Sequence, residues 1–80
     1  MSDKLKDENE LTKFHENIGE RIKKAREMRM YSQAKLSRRS GLSQSQISRI
    51  EAGKRAASLY SITKIANALQ VSPDDLIKTE

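Results

Sequence analysis

The sequence predicts an all-α fold, a compact bundle of five helices, on three observations. Apolar residues recur at steps of three and four in several separate stretches, the spacing that lines one face of a helix. Ser32, Ser43, Ser58 and Ser72 each stand just ahead of such a stretch, where a hydroxyl accepts from the free N–H groups of a first helical turn. No run alternates apolar and polar residues with the period of a strand.

Taken in order, residues 1–10 (MSDKLKDENE) are polar and unpatterned and read as a mobile N-terminal tail, leaving 11–80 as one domain. Leu11, Phe14, Ile18, Ile22, Ala25 and Met28 share one face of a first helix, whose start is expected between Glu10 and Asn17. Gly19 should weaken that helix, by up to about 1 kcal/mol relative to Ala. Ser32 caps a short second helix running to Ser40, with Ala34, Leu36 and Ser37 inward, and Gly41 closes it in the left-handed conformation. Ser43 caps a third helix with Gln46 at the capping-box position; Ile47 and Ile50 face inward and Gly53 ends it. After a basic loop, Lys54-Arg55-Ala56-Ala57, Ser58 opens a fourth helix with Leu59, Ile62, Ile65, Ala66 and Leu69 as its buried stripe. Ser72-Pro73-Asp74-Asp75 starts the fifth, cap, proline and dipole-matched acids in turn, with Leu76 and Ile77 as its apolar contacts.

Composition narrows the function. At 80 residues there is room for one small domain, and neither a signal peptide nor a stretch apolar enough to span a bilayer is present, which predicts a cytoplasmic protein. There is no cysteine, and the single histidine, His15, cannot build a metal site alone, so neither metal nor cofactor is expected. Catalysis is not expected either: no Ser/His/Asp arrangement and no phosphate-cradling glycine loop occurs, and adjacent Asp74 and Asp75 are simplest as helix-dipole partners. Charge is unevenly spread. Residues 1–16 hold three lysines against five acids, a net −2, while residues 17–80 hold thirteen basic residues against six acids, a net +7. A basic body points to a polyanionic partner.

The informative stretch is SQAKLSRRSGLSQSQISRIEAGK, Ser32 to Lys54. A helix-turn-helix needs two short helices joined by a tight, commonly glycine-bearing turn, small residues between them, and a second helix with an apolar inner and polar outer face. Ala34 and Ser37 supply the small residues, Gly41 the turn, Leu42 an inward contact, and Ile47 and Ile50 the anchors, which places the motif at residues 32–53. With both isoleucines inward, Gln44, Ser45, Ser48 and Arg49 turn outward.

The segment from about Asn17 to Ile77 resembles the Cro/phage-repressor (XRE) family of helix-turn-helix DNA-binding domains. The resemblance rests on Ile18-Gly19-Glu20-Arg21-Ile22, Ser32-Gln33 with Leu36, Gly41-Leu42-Ser43-Gln44, Ile47-Ser48-Arg49-Ile50-Glu51, Gly53-Lys54 and Leu69-Gln70-Val71-Ser72 before Leu76. It implies a lambda-repressor-like fold and a sequence-specific, double-stranded-DNA-binding transcriptional regulator, most simply a repressor or autoregulator of bacterial or phage type. By the same resemblance Gln44, Ser45, Ser48 and Arg49 contact bases, and Gln and Arg suit adenine and guanine edges respectively. Gln33, Ser43, Gln46, Lys54, Arg55 and Arg38 are the expected phosphate contacts, and Arg26 and Glu51 a structural ion pair. Tyr31, Ala57 and Gln70 stand where the family more often has Leu, Pro and Gly.

One recognition helix touches too few base pairs to stand out in a genome, so a homodimer on a near-palindromic operator is expected. Leu76, Ile77 and Tyr60 are the candidates for its seam, unless they complete the monomer core. The alternative function is a protein-binding adaptor or antitoxin-like module on the same fold, with Leu11, Phe14 and Ile18 as partner surface.

Overall fold

The computed structural model describes the backbone of residues 2–77 and the side chains from Glu10 onward. Met1 of the expected tail and residues 78–80 of the expected domain lie outside the described residues. Five helices follow in order: α1 (Ser2–Met28), α2 (Gln33–Ser40), α3 (Gln44–Glu51), α4 (Leu59–Leu69) and α5 (Pro73–Ile77).

Helices α2 to α4 start one residue after their expected caps, and the cap chemistry is as the serines implied. The Ser32, Ser43 and Ser58 hydroxyls accept from the N–H groups of Lys35, Gln46 and Ser61. At α3 the box is complete, because the Gln46 side-chain oxygen accepts from Ser43 N–H at 3.3 Å. Ser72 oxygen accepts from Asp74 N–H, and Asp75 Oδ2 accepts from Ser72 N–H.

The first helix departs from expectation. It begins at Ser2, so the backbone of residues 2–10 is helical instead of an irregular tail. Its lysines and glutamates (Lys4, Lys6, Glu8, Glu10) are good helix formers, which lets an unpatterned polar stretch continue a helix anchored further on. At 27 residues α1 is about 40 Å long, and it accounts for the 43 Å long axis of a molecule 24 × 20 Å in the other directions.

All five helices meet in one core. Ile18 and Ile22 of α1, Leu36 of α2, Leu42 of the turn, Ile47 and Ile50 of α3, Ile62, Ile65, Ala66 and Leu69 of α4, and Leu76 of α5 are buried together. Four expected core positions are exposed and lie outside it. Leu11, Phe14 and Met28 are exposed, the first two because they lie on the stretch of α1 that precedes its first core residue, Ile18. Leu59, placed in the α4 stripe by its spacing, is 73% exposed because it is the first residue of that helix, at the rim. Leu76, a candidate for a dimer seam, is 1% exposed and completes the monomer core.

Candidate nucleic-acid interface

Helices α2 and α3 and the turn between them are tied by small polar groups. The Ser37 hydroxyl donates to the Leu42 carbonyl at 2.6 Å, and the buried Ser40 hydroxyl accepts from Leu42 N–H at 3.2 Å. Gly41, with φ +80°, turns the chain where any other residue except Asn would be strained. Leu42 sits in the core beneath the turn, so the start of α3 is fixed by backbone as well as by packing.

Two isoleucines hold α3 down. Ile47 and Ile50 are 0% and 1% exposed, each contributing about 1.5–3 kcal/mol by burial. Their burial leaves Gln44, Ser45, Ser48 and Arg49 exposed together along the outer face. None of these four makes a side-chain hydrogen bond or ion pair among the described residues.

The C-terminal end of α3 is clamped from α1. Arg26 Nε donates to Glu51 Oε2 at 2.7 Å and Nη2 to Glu51 Oε1 at 3.0 Å, a two-pronged pair with side chains 10% and 3% exposed. Arg26 Nη1 also donates to the Tyr31 carbonyl at 2.7 Å, tying in the α1–α2 turn. The hydrogen bond from Arg26 to Glu51 holds the guanidinium pKa above its ordinary value, outweighing the opposing effect of burial. Gly19 allows this approach: a Cβ there would run into the Ile50 carbonyl oxygen and lie 2.8 Å from that of Glu51. The sequence marks Gly19 only as a weak helix former; its use is close contact between α1 and α3.

Gln33, expected at a phosphate, is half-buried and donates its amide to Glu51 Oε1 at 3.0 Å, a bond that spacing alone did not reveal. Ser43 and Gln46 are occupied by their capping box, which leaves the Gln46 amide N–H groups available and little else. Lys54, Arg55 and Arg38 are exposed. Lys54 N–H closes α3 on the Arg49 carbonyl at 3.0 Å, with Gly53 at φ +74°. Tyr31 is half-buried, with the Lys35 ammonium 4.5 Å from its ring centre.

This geometry is that of a helix-turn-helix, and comparison with known proteins agrees. The helix-turn-helix family model matches residues 22–76, and the chain belongs to the Cro/C1-type helix-turn-helix family of DNA-binding transcriptional regulators. It is 45% identical over 56 residues to the HTH-type transcriptional regulator y4dL of Sinorhizobium fredii, covering 70% of this chain and 29% of y4dL. It is 38% identical over 61 residues to the SPbeta prophage-derived HTH-type transcriptional regulator YonR of Bacillus subtilis, covering 76% of this chain and 56% of YonR. The match thus spans under a third of one curated relative and just over half of the other. Among solved structures, the restriction-modification controller protein C.AhdI from Aeromonas hydrophila superposes with a TM-score of 0.74 at 36% identity, over 76% of this chain and 92% of C.AhdI.

Proposed function

We propose that this protein is a sequence-specific regulator of transcription that lays α3 in the major groove of double-stranded DNA. One observation carries the reading: among the described residues the four outward side chains of α3 are unengaged, while every other part of that helix is fixed. Gln44 and Arg49 read base edges, each good bidentate pair giving about 1–3 kcal/mol of discrimination, and Ser45 and Ser48 flank them. Lys54, Arg55, Arg38, Ser43, the side-chain amide N–H groups of Gln46 and the amino-terminal end of α2 at Gln33 face the phosphates.

The proposed operator is near-palindromic and the active species a homodimer, a bacterial or phage-encoded protein acting as repressor or autoregulator in the cytoplasm. With Leu76 committed to the core, the exposed Leu59 and Tyr60 of α4 and the half-buried Ile77 of α5 offer apolar surface for a seam. In-vitro selection of duplexes, followed by anisotropy titrations over a salt series, tests the reading. A two-fold symmetric consensus is expected; absence of any sequence preference at every salt concentration defeats it. That negative outcome would instead favour a protein-binding adaptor, for which the exposed Leu11 and Phe14 are the available surface.

A further inference from the structure

We propose that Lys23 of α1 and the concavity it edges form a seat for one phosphodiester group of the bound duplex; this rests on the DNA-binding reading above. Gly19, Lys23 and Arg26 recur at steps of four and three and so share one face of α1. Gly19 meets the last carbonyls of α3 and Arg26 grips Glu51, which sets Lys23 between them, beside the reading helix. There, Lys23, Gln33, Ser48, Glu51 and Ala52 line a concavity of 190 Å³, several water volumes at about 30 Å³ each.

The chemistry of the lining suits a singly charged anion. Lys23 is exposed and makes no ion pair among the described residues, so its ammonium is not already neutralised. Gln33 spends one amide N–H on Glu51 and keeps a second, and the Ser48 hydroxyl is exposed alongside. The first N–H groups of α2 lack intrahelical acceptors at this end of the helix. Glu51 alone would repel a phosphate, but Arg26 offsets its charge with two hydrogen bonds and Gln33 adds a third. The seat joins groups from α1, α2 and α3, so it is shaped by the packing that orients the reading helix. It moves Ser48 from base contact to backbone contact.

Titrations of a selected and a random duplex with wild type, Lys23→Ala and Lys23→Gln over a salt series test this. Both variants should weaken binding to the two duplexes by the same several-fold factor. The slope of log affinity against log salt should become shallower by about 0.9 per bound protomer. Arg49→Ala, by contrast, should reduce the ratio between the duplexes. Single methylphosphonate substitutions along the selected duplex should reveal one phosphate per half-site whose neutralisation weakens wild type and leaves Lys23→Ala unchanged. Identical methylphosphonate profiles for the two proteins overturn the seat, also where Lys23→Ala melts lower and the lysine merely steadies the carbonyl end of α3. In that event Arg49→Ala still tests the DNA reading on its own. If wild type prefers no duplex, both proposals fall.

Discussion

At the scale of single residues, Glu51 is a shared acceptor, serving two nitrogens of Arg26 and one of Gln33. Removing its charge leaves a guanidinium that is nearly buried and uncompensated, which typically costs about 3–5 kcal/mol. Small domains have only about 5–15 kcal/mol in total, so Glu51→Gln should lower the urea midpoint and melting temperature sharply. Because the folded pKa of Arg26 is raised, its contribution is complete wherever the unfolded guanidinium is protonated, and is lost only in strong alkali. Stability measured between mildly acidic and mildly alkaline buffers should therefore show no step from Arg26. Gln44→Ala and Arg49→Ala should behave oppositely to Glu51→Gln. Each should leave the folding free energy within about 0.5 kcal/mol of wild type, as exposed surface changes do, and cost about 1–3 kcal/mol of binding to a selected duplex. The outward direction of these two residues was legible in the sequence because the neighbouring isoleucines fix it. The bond from Gln33 to Glu51 was not, since it joins residues eighteen positions apart across a tertiary contact.

At the scale of elements, starts and stops were not equally readable. Helix starts carry a chemical label, an oxygen side chain before the first turn, and all four serine caps could be placed from it. Helix ends depend on a left-handed residue, and only glycine advertises one. Gly41 and Gly53 were found in this way, whereas Met30, with φ +59°, closes α1 with no signature at all. Its N–H bonds the Glu27 carbonyl at 2.8 Å while Tyr31 N–H bonds that of Arg26 at 3.1 Å, the paired pattern of a helix terminus. Gln70, also at φ +59°, does the same for α4. A left-handed non-glycine residue costs roughly 1–2 kcal/mol, partly offset by the greater unfolded freedom of glycine. Met30→Gly and Gln70→Gly should each stabilise the fold by about 0.5–1 kcal/mol, visible as a higher melting temperature. Gly19→Ala should do the reverse of what helix propensity says: it should destabilise, because α1 must move off the α3 carbonyls to admit a methyl. A neutral or raised melting temperature for that variant would mean that the α1–α3 contact gives way easily.

For the molecule as a whole, the fold was readable because core, caps and turn chemistry all agree, the condition under which local signals specify one structure. The exception is the amino-terminal half of α1, where a polar composition argued for irregular chain and only continuity with the anchored half makes it helical. The dimer proposal belongs at this scale. Sedimentation of wild type on its selected operator should give two protomers per site, and Leu59→Glu with Tyr60→Glu should reduce this to one, with little change in melting temperature, because both residues are exposed in the protomer. A wild-type protein that sediments as one protomer per site, free and on operator, would overturn the homodimer.

The partition within α3 has a consequence for how such a protein changes over time. Its isoleucines, its Ser43–Gln46 cap and its Glu51 clamp attach it to the scaffold, while the four outward side chains make no hydrogen bond or ion pair among the described residues. Substitutions at those four positions are free of the folding constraint that governs their neighbours. A lineage built on this scaffold can drift toward new target sites one side chain at a time, without passing through an unfolded ancestor.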